Sequence, residues 1–373
     1  MSKRILITGG AGFVGSHLAD GLLRAGHAVR VIDDLTPQVH SVRPPEYLSP
    51  EVELIPADIR DAKSIRDALH GVDVIYHFAA TVGVGQSMYE ISRYMSVNTL
   101  GTAELLQAML DMRMVPHKLV VASSMSIYGE GSYVCSGCGK QAAPPVRSTT
   151  QLRSGEWELR CAECEEVLLP VPTNEHKPSE TNSVYALSKR DQEELCLLYG
   201  RTYDIPVTAL RFFNIYGTRQ ALSNPYTGVA AIFASRLLNE QAPLVFEDGM
   251  QMRDFVSVQD IVRACMLAAD SRAADNEVIN IGSGKPISIL RVAEILAKSL
   301  GKKIAPVVTQ KYRAGDIRHC FADLTKAHTT LGYEAKVSHE EGFLELAEWL
   351  AGQEAEDKAE TMLKELTAYG LTA

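Results

Sequence analysis

The sequence predicts an α/β protein built on a doubly wound parallel sheet, with a smaller α/β lobe and a small insert carrying four cysteines. Three observations carry this. Short apolar, β-branched runs alternate with helical runs from the N-terminus to Ser124, the pattern of parallel strands joined by crossover helices. The first strand runs straight into a glycine-rich loop and a helix. Two C-x-x-C pairs, Cys135/Cys138 and Cys161/Cys164, then interrupt the alternation.

Taken in order, Arg4 to Thr8 reads as a buried strand, Ser16 to Ala25 as a helix and Ala28 to Ile32 as the second strand, ending at Asp33-Asp34. Val52 to Pro56 is a strand ending at Asp58-Ile59, Ala62 to Leu69 a helix, and Val72 to Phe78 a strand ending at Ala79-Ala80. A long helix is predicted from Tyr94 to Met112, with Asn98 near its start, and a strand from Lys118 to Ala122, ending at Ser123-Ser124. Beyond the insert, Ile205 to Phe212, Leu244 to Phe246 and Glu277 to Ile281 read as strands; Val229 to Asn239, Ser288 to Leu300 and Asp323 to Leu331 read as helices. Residues 1–131 and 176–220 are assigned to the sheet domain, 132–175 to the insert, and 221–350 mainly to the smaller lobe with interleaved sheet elements. The charged helical tail, 351–373, is expected to pack loosely or extend, and to carry no chemistry.

The loop Gly9-Gly10-Ala11-Gly12-Phe13-Val14-Gly15 sits between a strand and a helix, and Asp33 follows 18 residues beyond its last glycine. Glycines let backbone approach a pyrophosphate, a helix N-terminus favours its charge, and the acid accepts from a ribose hydroxyl. The plainer reading is a tight turn, but strand, helix and acid together point to a dinucleotide in a Rossmann-type domain. Asp33 without an adjacent Arg favours NAD over NADP, whose 2′-phosphate a carboxylate would repel. Ligands of such sheets lie beyond the carboxyl ends of the strands, where Asp33, Asp58, Ala79 and Ser124 fall. Asp58 also reads as a helix cap before Ala62, and Ser124 as a turn residue.

Tyr185-Ala-Leu-Ser-Lys189 opens a helix. Positions four apart share a face, and a neighbouring cation lowers the pKa of a phenol, so Tyr185 and Lys189 form a candidate proton-transfer pair. An ordinary amphipathic helix is the plainer reading of that spacing alone. Ser124 and Tyr185 stand 61 apart, and the interval holds the two C-x-x-C pairs with 22 residues between them. Two such knuckles suit a structural, four-cysteine zinc ribbon; free or disulfide-linked cysteines are the alternative. Trp157 to Arg160 reads as a strand leading into the second knuckle. A lid over the site and a passive surface ornament are both open roles for the insert.

Composition bounds the partners. Net charge is −9, from 37 basic and 46 acidic residues, which argues against nucleic acid or an anionic membrane but not against a small anionic ligand. No run of 18 apolar residues exists, so no membrane span is expected. The N-terminus enters a strand without a signal-peptide layout, and a cytoplasmic protein is expected.

TGGAGFVGSHL at 8–18, Asp33, Asp58-Ile59, HFAA at 77–80, Asn98, SSMSIYG at 123–129, YALSK at 185–189 and RFFNIYG at 211–217 together resemble the extended short-chain dehydrogenase/reductase family. These are the NAD-dependent sugar-nucleotide epimerases and dehydratases. RDFVSVQD at 253–260 and RAGD at 313–316 extend the match. The resemblance implies Ser124, Tyr185 and Lys189 as the catalytic set. It implies NAD contacts from Gly9, Gly12, Phe13, Val14, Gly15, Asp33, Asp34, Asp58, Ile59, Phe78, Ala79, Ala80, Asn98 and Phe212. It implies substrate contacts from Val84, Ser124, Ser126, Asn214, Val229, Arg253, Arg313 and Asp316, with the two arginines as a diphosphate clamp; a surface salt bridge is their plainer reading. Family dehydratases carry Asp-Glu after the catalytic Ser/Thr, and some epimerases a Cys at the second position. This chain has Met125-Ser126, which leaves reversible oxidation at one carbon, as in the 4-epimerases. VGVGQSMYEISRY at 82–94, NPYTG at 224–228 and GDIRHCFAD at 315–323 are most similar to dTDP-L-rhamnose 4-epimerases. UDP-hexose and UDP-hexuronate 4-epimerases, a 4-ketoreductase and an NAD-binding sensor are the alternatives. Val82 stands where some 4-epimerases have a Lys near the cofactor. The family commonly forms homodimers through a four-helix bundle, here Tyr94–Met112 and Ser183–Tyr203.

Overall fold

The computed structural model describes residues 2–40, 44–313 and 315–372. Within them, parallel strands β1 (Arg4–Thr8), β2 (Ala28–Asp33), β3 (Glu53–Pro56), β4 (Val74–His77), β5 (Lys118–Ser124), β6 (Val207–Phe212) and β7 (Glu277–Ile281) form one sheet. Their order is β3-β2-β1-β4-β5-β6-β7, which reverses at β1 and opens a crevice beyond the carboxyl ends of β1 and β4.

The continuous apolar runs are explained by burial on both faces. Ile5 and Ile7 of β1 point into one core while Leu6 points into the other, and Val120 and Leu119 of β5 divide the same way. Helices Phe13–Arg24 and Val258–Asp270 cover the first face; Ala62–Leu69, Gly101–Asp111 and Val184–Tyr203 cover the second. Register levels the functional edge: Thr8 pairs with Ile32 and His77, and Ser124 with Phe212.

The long helix expected from Tyr94 to Met112 is broken. An α-turn, Ile91–Tyr94, widens into a π-helical turn, Met95–Leu100, before the regular helix Gly101–Asp111. Such widened turns collect at functional sites; this one carries Asn98 inward, where it is fully buried.

The smaller lobe has its own mixed sheet of Asn214–Tyr216, Met252–Ser257, Pro286–Ser288 and His319–Cys320. Helices Val229–Leu238, Ile289–Ser299 and His339–Leu350 close a core around Phe233, Phe255, Leu296 and Phe343. In the insert, Ser132–Cys135 pairs antiparallel with Gln141–Ala142 and with Leu168–Val171, over a small core of Tyr133, Leu159 and Leu168 with Cys135 and Cys161. The strand expected at Trp157 to Arg160 does not form beyond one bridge, Arg160 to Val167. Side chains take its carbonyls instead: Arg147 donates to Trp157 O and Gln151 to Glu158 O.

The tail also departs from expectation. Helix Ala359–Ala368 docks on the body with Ala359, Met362 and Leu366 buried. Tyr369 stacks on Tyr89 at 4.6 Å, and Arg236 pairs with Asp357 at 3.0 Å. Apolar residues spaced three and four apart, Ala359, Met362 and Leu366, give this charged segment one burying stripe. Among the described residues no helix is long and apolar enough to cross a membrane.

Candidate active site

One cavity of about 820 Å³ runs from the glycine loop, past Ser124 and Tyr185, to Arg253 and Arg313. Every residue expected to touch cofactor or substrate lines it except Asn98. At the sheet end, Gly9 has φ +69°, and a Cβ there would lie 2.7 Å from Ala79 N; a Cβ on Gly15 would lie 2.6 Å from Gly9 O. Glycine is therefore required sterically, and the backbone is left bare where a ligand approaches. The helix Phe13–Arg24 starts on Gly12, which supplies no capping side chain, so first-turn amides stand at the cavity wall formed by Gly12, Phe13, Val14 and Gly15.

Asp33, at the end of β2, accepts from Ala11 N at 3.0 Å and Leu35 N at 2.9 Å. Burial pushes its carboxyl up, against those hydrogen bonds and the nearby His40. Asp34 accepts from Thr36 N at 3.0 Å. Asp58 is not the helix cap; Asp61 is, accepting from Lys63 N, while Asp58 is gripped by Arg60 and held below the usual carboxylate range by that hydrogen bond. Ile59, Phe78, Ala79, Ala80 and Phe212 form apolar walls of the same end, with the rings of Phe78 and Phe212 edge-to-face at 6.1 Å. Asn98 lies behind the wall. It accepts from Thr81 N at 2.7 Å and donates to Thr81 O and Ser188 Oγ, so it fixes the loop that lines the cavity.

Ser183 caps the helix Val184–Tyr203 by accepting from Ala186 N, which sets Tyr185 and Lys189 at its entrance. Tyr185 lies beside Ser124. Ser126 Oγ donates to Ser124 Oγ at 2.9 Å, leaving the Ser124 hydrogen for the site. The expectation that Lys189 depresses the Tyr185 pKa is not met in this geometry. Burial pushes the phenol up to about 12, and Ser124 opposes this only in part. The Lys189 ammonium is turned onto Gln192 Oε1 at 2.7 Å, and burial lowers it to about 8.

At the lobe end, Val84, Ser126, Asn214 and Val229 line the wall. The Asn214 amide oxygen is buried with no partner, a polar atom that a bound ligand would satisfy. Arg253 donates to Ile317 O at 2.6 Å and Arg318 O at 2.9 Å. Arg313 donates to Asp316 at 2.8 Å and lies over the Phe246 ring. Thus the salt bridge foreseen as the plainer reading exists, and it sits within the cavity. Burial would push the Asp316 carboxyl up, but Arg313 and Arg253 outweigh it and hold it low.

In the insert, Cys135, Cys138, Cys161 and Cys164 bring their Sγ atoms within 4.8 Å of one another, with Cys135 and Cys164 at 3.3 Å and Cys138 and Cys161 at 3.9 Å. A disulfide needs about 2.05 Å, whereas tetrahedral zinc–thiolate geometry places sulfurs about 3.8 Å apart. The Gly137 and Cys138 amides donate to Cys135 Sγ.

The NAD dependent epimerase/dehydratase family matches residues 5–150, and the GDP-mannose 4,6 dehydratase family matches 167–346. The chain is 35% identical over 354 residues to the dTDP-L-rhamnose 4-epimerase of Burkholderia thailandensis, covering 94% of this chain and 95% of that one. It belongs to the NAD dependent epimerase/dehydratase family. Among solved structures, the UDP-glucose 4-epimerase of Thermotoga maritima with UDP-glucose superposes with a TM-score of 0.76 at 31% identity, covering 93% of this chain and 98% of that one. The UDP-glucuronic acid 4-epimerase of Bacillus cereus with UDP-glucuronic acid and NAD gives 0.74 at 28% identity, covering 93% and 99%.

Against this epimerase/dehydratase frame, two groups of residues escaped the sequence reading. Met362 and Leu366 of the tail line the cavity, Leu366 lying against Gly85. Glu365 anchors them by accepting from the hydroxyls of Tyr89 and Tyr226; a stripe of small and apolar residues in a charged tail was the available signal. The second group is buried charge. Glu193 holds Arg211 at 2.6 Å directly behind Ser123, and nothing in spacing announces such long-range pairs.

Proposed function

We propose that this protein is an NAD-dependent sugar-nucleotide 4-epimerase acting on a dTDP-6-deoxyhexose of the dTDP-L-rhamnose/6-deoxy-L-talose type. The observation that carries this is the single cavity, with the glycine loop at one end, Ser124, Tyr185 and Lys189 at its middle and Arg253 and Arg313 at the other. The bare cradle at Gly9 and Gly15 and the acid at Asp33 fit NAD. When bound there, it supplies the acceptor for the C4 hydride, the source from which it returns, and a positive charge beside the phenol. Tyr185 takes the proton of the sugar C4 hydroxyl, with Ser124 hydrogen-bonded to the same oxygen. Lys189, released from Gln192, adds the cation that favours the phenolate. The 4-keto sugar turns about its diphosphate, held by Arg253, Arg313 and Asn214, and Tyr185 returns the proton when the opposite face is reduced.

Dehydration is disfavoured by this geometry, although residues 167–346 match a dehydratase family. Met125 is buried and the Ser126 hydroxyl is spent on Ser124, so neither supplies the acid–base pair that elimination needs. The match to a UDP-glucose 4-epimerase structure supports a UDP-hexose as the second reading. Four thiolates in a closed set fit zinc in a structural role. A homodimer is supported by exposed leucines on neighbouring elements of the second face: Leu100 in the π-helical turn, Leu110 in the helix that follows it, and Leu187 and Leu198 in the helix Val184–Tyr203.

The test is incubation with dTDP-, UDP- and GDP-sugars, reading C4 configuration by NMR. Inversion of a dTDP-6-deoxyhexose is expected; no inversion of any sugar would sink the proposal, and inversion of UDP-hexoses alone would transfer it to the second reading.

A further inference from the structure

The insert is joined to the smaller lobe by buried charge rather than by apolar packing alone. Arg147 of the insert is fully buried and grips both oxygens of Glu247, at 2.9 and 2.8 Å. The same guanidinium donates to the backbone carbonyl of Asp316 at 3.1 Å. Beside it, Arg318 is almost completely buried and is held by Glu247, Asp248 and the insert's Glu158. Glu158 also pairs with His319 at 3.1 Å. Arg313 and the segment 315–319 are therefore held from two sides. Arg313 and Asp316 line the cavity, and Arg253 grips the carbonyls of Ile317 and Arg318 from that side. Arg147 and Glu158 grip the same stretch from the insert side.

We propose that the cysteine insert is the brace of the substrate-diphosphate clamp, with Arg147 and Glu158 as positioning residues that hold segment 315–319 where Arg253 and Arg313 meet the ligand. This rests on the reading of those arginines as a diphosphate clamp. Guanidinium forks bind phosphate oxygens only in a set geometry, and an ångström of misplacement far from the chemistry weakens function steeply. The brace touches neither the glycine loop nor Tyr185, so it acts on nucleotide affinity and not on NAD content or the chemical step.

The test uses the full chain with its bound NAD, as wild type, Arg147→Met and Glu158→Gln. Calorimetry measures affinity for dTDP and UDP, extraction measures NAD per chain, circular dichroism checks folding, and kinetics separate kcat from KM. Both variants are expected to bind nucleoside diphosphate about tenfold or more weakly, with KM raised to match, kcat within about twofold and NAD content unchanged. Folded, NAD-loaded variants with wild-type affinity would overturn the proposal. Should Arg147→Met fail to fold, Glu158→Gln decides, because its side chain is 40% exposed. Wild-type protein that binds neither dTDP nor UDP would instead overturn the clamp reading itself.

Discussion

Two buried cations in this molecule are kept in opposite ways. Lys189, at the catalytic helix, has a neutral amide as its hydrogen-bond partner, and burial drags its ammonium down to about 8. Arg318, behind the substrate clamp, is surrounded by Glu158, Glu247 and Asp248, which outweigh its burial and raise its pKa. A poorly compensated charge is ready to change partner or protonation state; an over-compensated one is fixed. The difference separates the part of the site that does chemistry from the part that holds position.

The largest break in the comparison is at the proton-transfer centre itself. Tyr185→Phe is expected to lower kcat by about 10²- to 10⁴-fold with NAD content unchanged, read by NMR turnover and NAD extraction. Turnover close to wild type would remove Tyr185 from the mechanism. The two cations then predict opposite stability effects. Arg318→Leu takes the cation from the partly exposed Glu158 and Asp248 and one of two partners from buried Glu247, which keeps Arg147, and is expected to cost about 1–3 kcal/mol, seen as a lower denaturant midpoint. Lys189 carries a folded pKa below its unfolded value, so its charge destabilises the fold below about pH 8, and that penalty fades as pH rises toward the ordinary lysine value. Lys189→Met is therefore expected to leave the midpoint at or above wild type while activity collapses. A midpoint falling as far as that of Arg318→Leu would show that Lys189 is structural.

The same contrast has a pH signature. The kcat/KM profile reports groups of the free enzyme; Tyr185 must lose a proton held up to about 12 while Lys189 is needed charged, so kcat/KM is expected to rise with pH and level off above about pH 8. Lys189→Arg should extend the rise past that break. A profile already flat from pH 6 to 8 would contradict the assignment. The smallest effect is expected from removing residues 352–373. Met362 and Leu366 form cavity wall but touch neither Tyr185 nor the glycine loop. KM should rise a few-fold at nearly constant kcat, measured with the substrate that the wild type inverts.

What was legible in the sequence was whatever local chemistry encodes. Glycines that cannot carry a Cβ, strands with doubly buried apolar runs, a helix opened by Ser183 and cysteines at knuckle spacing all act within a few residues. Asn98 was given as a contact by the resemblance; its place in a π-helical turn, with its side chain on Thr81 and Ser188, sets it behind the wall. Trp157 to Arg160 was read as a strand, but Arg147 and Gln151 compete for its carbonyls. Lys189 was expected to act on Tyr185 by spacing and by resemblance, yet Gln192, three residues on, holds its ammonium. The Arg147–Glu247 and Arg318–Glu158 pairs join residues 100 and 160 apart, and no periodicity records a pairing of that range. The tail's docking was hidden by its charge, because only one stripe of it is apolar.

The central claim is oxidation and re-reduction at a single carbon, and its most direct test follows the hydrogen on that carbon. The protein would be incubated in ordinary water with dTDP-L-rhamnose carrying deuterium at C4, and the product analysed by NMR and mass spectrometry. A C4-inverted product that keeps its deuterium at C4 is expected, because the hydride leaves and returns without meeting solvent. Inversion with deuterium lost to water would contradict it.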